Sequence, residues 1–424
     1  MKLAVSQQCY LNKTNTHRYF RWTEEEKDSF LAFAAMFQFV VLMTQLLVIH
    51  LFGITGSVQS ALRMFSIGIS AIPVLLALPI LIKRKPIVVL LTYCTASLVF
   101  VLSALFYPDT RSVLPSLFFY LFCMCLPSFL CFACIQNMEA AVSSLTKIAV
   151  ANFILGACFT VCSLVGLIRS EQYSMSFSYY LLFSACYFLH LFHTKGRRTL
   201  LLFSLLSGVF VALLGSRGAL VTYFVYAVIS AFYFLKWNVR TLILWMILFS
   251  LGILFLMYFD QILSWIYDFL LSMGIQSRTL NLLRSNQLLS HDSGRGDIYR
   301  YLFQKIGERP FLGYGVGGDR AMRDGGYAHN LFIEVFVDFG VIIGAFLLIL
   351  LGTFVVRTFQ KKDNQALLLL FFCIGIIPLM VSGSFYTETN FWILIGFCFQ
   401  IVSNVKPSAT VSKKLKTSIF RRVD

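Results

Sequence analysis

Apolar runs long enough to cross a bilayer recur along this chain, and they constrain its fold more than any other feature. A membrane-crossing helix needs about 20 consecutive, mostly apolar residues. Such runs fall near 30–52, 60–82, 86–107, 114–135, 144–168, 176–193, 198–214, 218–235, 239–259, 329–356, 364–384 and 389–405. In hydrocarbon every backbone N–H and C=O must be satisfied internally, so each run has to be a helix. Composition agrees: 58% of residues are hydrophobic and 13% charged, a balance foreign to soluble domains of this length. The expectation is an all-α polytopic membrane protein of about twelve transmembrane helices.

The basic residues orient it. Short loops rich in Lys and Arg stay in the cytoplasm. One set of loops, with both termini, contains Lys27, Lys83-Arg84-Lys85, Lys147, Lys195 with Arg197-Arg198, Lys236, Arg357 and the tail, and holds 23 of the 35 basic residues. With an even helix count both termini lie inside. The expected divisions are a cytoplasmic segment 1–29, helices one to nine over 30–259, a large extracytoplasmic loop 260–328 between helices nine and ten, helices ten to twelve over 329–405, and a basic cytoplasmic tail 406–424. The net charge of +16 follows from this bias and from contact with anionic membrane lipids; it does not imply nucleic acid. The polar first thirty or so residues do not read as a cleavable signal peptide. Ten of the eleven cysteines lie in apolar runs and Cys9 in the amino-terminal cytoplasmic segment. Cys131 and Cys134 therefore read as packing residues rather than a redox or metal pair.

The 260–328 loop is far longer than the other outer loops, and such loops usually carry function or structure of their own. "SWIYDFLLSMGI" and "TLNLLRSNQLL" have helical apolar spacing suited to the membrane surface. "SGRGDIYRYLFQKIGERP" predicts a helix from Arg295 to Gly307 with Ile298, Leu302 and Ile306 on one face. "FLGYGVGGDRAMRDGGYAH" follows. Its glycines lack the Lys-Ser/Thr of a phosphate loop and the preceding strand of a dinucleotide fold, so they predict a tight turn re-entering the bundle. Eight basic and seven acidic residues leave the loop nearly neutral, so any anion binding must come from particular arginines.

Three positions are candidates. Arg217, in "LLGSRGALV", stands on the very short connection between the seventh and eighth runs, flanked by small residues. Arg295 opens a helix, where free N–H groups and the dipole favour an anion. His329, in "GGYAHNLFIEVFVDFG", is expected at the outer start of helix ten, where the dipole disfavours imidazolium and keeps the ring a proton acceptor. On that helix Asn330 and Glu334 would share a face, with His329 and Ile333 on the adjacent one. Ionisable groups at a membrane edge, such as Glu334 and Asp338, are costly and usually functional.

The order "SRGAL", "SGRGDIYRY", "PFLGYGVGG" and "AHNLFIEVFVDFG" resembles the O-antigen ligase and polymerase superfamily. The motifs concentrate between Gly215 and Gly340. The resemblance implies an active site of two arginines and a histidine, matched here by Arg217, Arg295 and His329. It also implies inverting transfer of an undecaprenyl-diphosphate-linked glycan to an acceptor hydroxyl at the outer face of the bacterial cytoplasmic membrane. Arginines suit a leaving diphosphate because they bind phosphate bidentately and keep their charge; a neutral histidine suits the acceptor hydroxyl. Arg300, Glu334 and Tyr327 are further substrate-binding candidates, while Arg278, Arg284, Arg320 and Asp338 are residues of open role. Tyr327 alternatively reads as an interface anchor.

No Asp-x-Asp occurs and the loop near 53–60 has no acidic residue, so the expected chemistry uses no metal and no cofactor. The resemblance gives a polysaccharide polymerase, with a saccharide acceptor, as the first reading. A ligase delivering the finished glycan to lipid A core or another acceptor is the alternative. A flippase and a chain-length regulator are implied partners. A lipid-saccharide flippase or secondary transporter is a reading of another class. It should show internal repeats or charged, broken helices at mid-bilayer, whereas here the polar residues gather in one outer loop. A noncatalytic scaffold would leave all three site residues dispensable.

Overall fold

In a computed structural model, the described residues are 22–165, 167–168, 175–214, 216–234, 265, 268–269, 271–272, 295–361 and 364–403, without the side chains of Leu164, Met175 and Arg217. The 239–259 run, Arg278, Arg284, most of the two expected surface helices and residues 1–21 and 404–424 lie outside them. No strand occurs among the described residues. Among the described residues eight helices precede the long loop: α1 (Glu24–Leu51), α2 (Gly56–Arg84), α3 (Pro86–Phe106), α4 (Leu114–Cys134, with a π turn at Leu121–Cys125), α5 (Met138–Leu164), α6 (Met175–Lys195), α7 (Arg198–Leu213) and α8 (Arg217–Phe234). Within the 260–328 stretch lie α9 (Arg295–Glu308) and the single turn α10 (Gly318–Ala321), and after it come α11 (Leu331–Phe359), α12 (Gln365–Val381) and α13 (Thr389–Ser403). Six of these, α1 to α5 and α11, are long and apolar enough to cross a membrane. The protein is a polytopic helical membrane protein.

Helix starts differ from the apolar runs where polar caps set them. The run at 30–52 becomes a helix from Glu24, because Thr23 and Glu26 form a capping box: Glu26 N–H donates to Thr23 Oγ1 at 3.2 Å and Thr23 N–H to Glu26 at 2.7 Å. Three glutamates in the first turn then meet the positive end of the dipole. In the same way α5 begins at Met138 rather than 144, with Asn137 accepting from Glu139 N–H at 3.0 Å.

α1 runs through the bundle, packed on α2, α4 and α5, while α6 packs on α5, α7 and α8, and α13 on α4 and α12. Leu31, Met36 and Met43 of α1 join Leu130, Leu181, Phe371 and Phe397 in one continuous core. α3 and α11 turn broad apolar faces outward, with Leu90, Leu98, Leu105, Ile342, Phe346 and Ile349 exposed. Such a face is the one lipid can cover.

α11 is broken near its start. Gly340 has φ 76° and ψ 169°, which splits the helix into two pieces. A break at membrane depth is tolerated only where the freed backbone groups find partners. Here the glycine-rich segment supplies them: Tyr314 N–H donates to Val337 C=O at 2.8 Å, Gly315 N–H to Asp338 C=O at 2.9 Å, and Val341 N–H to Pro310 C=O at 2.6 Å. A Cβ at Gly340 would strike the Phe311 carbonyl, and one at Gly313 the Val337 carbonyl. Backbone lies directly on backbone, so the expected close re-entry is what "PFLGYGVGG" forms.

At the opposite end a buried ion pair ties four helices. Arg84 of α2 donates to Asp28 of α1, to Glu24 at 2.6 Å and to the Cys134 carbonyl at 2.9 Å. Asp28, 1% exposed, also accepts from Gln136 N–H at 3.0 Å and Asn137 N–H at 2.8 Å. Removing one partner of a buried pair costs about 3–5 kcal/mol. Asp28→Ala should therefore lower thermal stability in detergent markedly, whereas Lys27→Ala, which removes an exposed partner of Glu24, should not; equal melting of both variants would contradict this.

Candidate functional site

The first two turns of α11 carry the buried acids that organise the site. Glu334 is fully buried. Its Oε1 accepts from Ser384 Oγ and lies 3.5 Å from Arg320 Nη1; its Oε2 accepts from Phe385 N–H at 3.3 Å. Arg320 Nη2 donates to Ser384 at 2.8 Å. One turn on, Asp338, also fully buried, accepts from Tyr386 O–H at 2.8 Å and Gly317 N–H at 3.1 Å. Asp319 of α10 accepts from Ala328 N–H at 2.7 Å. Burial pushes its carboxyl up from the ordinary range, against the opposing effects of Arg320 and the backbone donors. The acids bind the 313–330 segment and the 382–388 connection to the head of α11.

His329 is held by this framework but does not stand in the helix. Asn330 is the cap, accepting from Phe332 N–H at 3.0 Å and Ile333 N–H at 3.3 Å, and His329 takes a left-handed φ of 58° just before it. The expected face shared by Asn330 and Glu334 therefore does not exist: a capping asparagine has already left the helical path. The described partners of the Glu334 carboxyl are Arg320, Ser384 and Phe385, and His329 is not among them. The His329 ring packs on Tyr327 at 4.1 Å between centroids, and Tyr327 O–H donates to the Ser382 carbonyl at 2.6 Å. His329 also hydrogen-bonds the Ser382 backbone. No described group bonds its Nδ1.

Three arginines surround this pair. Arg323 Nη1 donates to the Tyr327 carbonyl at 2.7 Å, and the Arg320 guanidinium lies 5.4 Å from the Tyr327 ring centre. Arg295, the first residue of α9, is close enough to act on both Tyr327 and His329. α9 is held there by Leu302 and Ile306, which pack with Ala328, Ile333 and Val337. Burial of the imidazole, and then the nearby Arg295, Arg323 and Arg320, lower its pKa from 6.5 to about 4. The ring is neutral as expected, but through desolvation and arginine charge rather than a helix dipole.

The structure brings Arg295, Tyr327 and His329 together and leaves Arg300 outside: it is exposed and paired with Asp297 at 3.0 Å. Arg217 opens α8, and the next residue, Gly218, packs so tightly that a Cβ there would collide with the Tyr179 hydroxyl and approach Ser382 Oγ. The "SRG" turn thus meets the His329 neighbourhood at Ser382. Sequence reasoning missed Arg323 and the 382–390 connection, "SGSFYTETN". Its signal was a dense polar run between two apolar helices.

Residues 201–349 match the family model described as O-antigen ligase. The ComP-specific O-oligosaccharyltransferase of Acinetobacter baylyi (strain ATCC 33305 / BD413 / ADP1) is 28% identical over 149 residues, 31% of this chain and 27% of that protein. The chain thus spans about a quarter of that relative's length. No solved structure matches the chain. Both matches fit the O-antigen ligase and polymerase superfamily that the motif order resembles.

The depressed His329 pKa has a stability consequence. The folded ring titrates at about 4 and the free one at 6.5, so the unfolded chain binds more protons between these values. The contribution is complete above pH 6.5 and is lost as pH falls towards 4. Relative to His329→Gln, wild-type stability should fall over that window and stay level above it. A difference independent of pH would contradict the assigned environment.

Proposed function

We propose that the protein transfers a glycan from an undecaprenyl-diphosphate carrier to an acceptor hydroxyl, with inversion, at the outer face of the bacterial cytoplasmic membrane. The observation that carries this reading is a neutral imidazole set among arginines, with Tyr327 against it. Arg295, Arg323 and, from the adjoining turn, Arg217 hold the diphosphate. Arg320 is already matched by Glu334 and stiffens the site. His329 takes the proton of the acceptor hydroxyl as its oxygen bonds to the anomeric carbon. The bond from that carbon to the diphosphate oxygen breaks, and the arginines stabilise the charge that leaves. Because guanidinium groups supply that charge, the reaction needs no metal. This reading keeps both termini in the cytoplasm, the twelve-helix count with its large loop between helices nine and ten, and a flippase and chain-length regulator as partners.

The acceptor separates two versions. A polymerase adds the glycan to another lipid-linked saccharide, which accords with the glycine-rich segment. A ligase delivers it to lipid A core or another acceptor, and the O-antigen ligase description of the matched family favours that version. Cells lacking the gene should accumulate single capped repeats in the first case and long carrier-bound chains in the second.

The chemistry is tested on purified enzyme. His329→Ala should retain donor binding while transfer falls by about 10²–10⁴-fold, the usual cost of losing a general base. Arg217→Lys and Arg295→Lys should keep the charge but lose most activity, since an ammonium cannot form the bidentate fork. A stable His329→Ala enzyme with wild-type turnover would end the proposal.

A further inference from the structure

Beneath Tyr327 a cavity of about 400 Å³ enters the bundle between α1, α4, α6 and the 382–390 connection. This is within the ordinary size range of small-molecule sites, about 300–1,000 Å³. Its walls combine aromatic rings with hydrogen-bonding groups. Tyr120, Tyr179, Tyr180 and Tyr327 supply the rings. Gln38, deep on α1, faces it together with Glu388 and Asn390.

Gln38 is already bonded to Ala35, Ser128 and Thr389, but two details indicate that Asn390 and Glu388 await a ligand. Asn390 is only 3% exposed, yet no described group hydrogen-bonds its Oδ1. A buried amide oxygen left unmade costs about 1–3 kcal/mol. Its Nδ2 meanwhile donates to Glu388 Oε1 at 3.3 Å, and Asn390 is the residue that holds the Glu388 carboxyl. Burial raises that carboxyl to about 7, against the opposing Asn390 bonds. Near neutral pH it can therefore either donate or accept a hydrogen bond.

Chemistry narrows the occupant. A lipid tail would strand the amide and carboxyl groups without partners. A phosphate would meet the Glu388 carboxyl, while the wall arginine, Arg320, is already committed to Glu334 and Ser384. A sugar ring satisfies both kinds of wall: its C–H faces lie on tyrosine rings, and its hydroxyls donate and accept.

We propose that this cavity is a saccharide subsite of the transfer site, with Glu388 and Asn390 holding sugar hydroxyls and the tyrosines covering the ring. The inference rests on the glycan-transfer reading and deepens it. Tyr327 joins the two parts, since its ring packs on His329 and also lines the cavity. Tyr179, which bonds Ser382 Oγ at 2.6 Å, closes the wall beside the "SRG" turn.

The test uses full-length protein in nanodiscs and two probes: sugar-free undecaprenyl diphosphate, and the phosphate-free saccharide released by mild acid from the producing cells' lipid-linked glycan. Asn390→Ala and Glu388→Ala should weaken saccharide binding at least tenfold and leave undecaprenyl diphosphate binding within twofold. Leu42→Trp fills the cavity without touching its polar groups and should give the same split; Arg295→Ala should give the reverse. Saturating lipid-linked donor should compete with the free saccharide if the cavity holds the donor's sugar, and leave it unaffected if the cavity holds the acceptor's. Wild-type saccharide affinity in folded Asn390→Ala and Leu42→Trp proteins would overturn the subsite, as would a wild type that binds the diphosphate but no saccharide. A wild type that binds saccharide in this cavity but neither binds undecaprenyl diphosphate nor transfers glycan would retain the subsite and remove the transferase reading.

Discussion

Glu334 and Asp338 sit fully buried on the opening turns of α11, and most of the site geometry follows from satisfying them. A buried carboxylate without partners is among the most costly groups a fold can contain. The partners here come from two segments far apart in sequence. Arg320 and Gly317 arrive from the end of the long loop, while Ser384, Phe385 and Tyr386 arrive from the connection between α12 and α13. The break at Gly340 adds backbone groups that only the 310–315 segment answers. Neither segment can leave α11 without exposing unmet polar groups to a low-dielectric interior. Here two acids in a membrane helix work as anchors for loops.

That anchoring places the chemical groups. With Ala328 tied to Asp319 and Asn330 capping α11, the backbone between them has to turn through His329. Tyr327 is then pinned from two sides, by Arg323 on its carbonyl and Ser382 under its hydroxyl. The imidazole packs on that fixed ring, partly buried and among like charges, and so stays neutral. The same connection that satisfies Glu334 continues into Glu388 and Asn390, which line the cavity. Arg295, Arg320 and Arg323, the His329 imidazole and a polar aromatic cavity thus share one scaffold.

Much of this was legible in the sequence. The apolar runs predicted the helical class, the 3.6-residue spacing of Ile298, Leu302 and Ile306 predicted α9, and the glycines of "PFLGYGVGG" predicted a tight re-entry. Polar caps shifted the starts of α1 and α5, because Thr23 and Asn137 nucleate helix ahead of the apolar residues. The expected face shared by Asn330 and Glu334 failed for a similar reason: i,i+4 spacing implies a shared face only while both residues are helical, and Asn330 is a cap. The partners of the buried acids were illegible, since pairing across 14 to 51 residues leaves no local periodicity. The Arg217 side chain and the 239–259 run lie outside the described residues.

Hydrogen exchange on wild-type and Glu334→Ala protein in nanodiscs is the most direct test of this scaffold. Losing one buried carboxylate should deprotect 313–330 and 382–388 together, because both segments close on the same anchor, while the Asp28 end of the bundle keeps its protection. Deprotection of only one segment, or of neither, would contradict the claim that the head of α11 holds the site together.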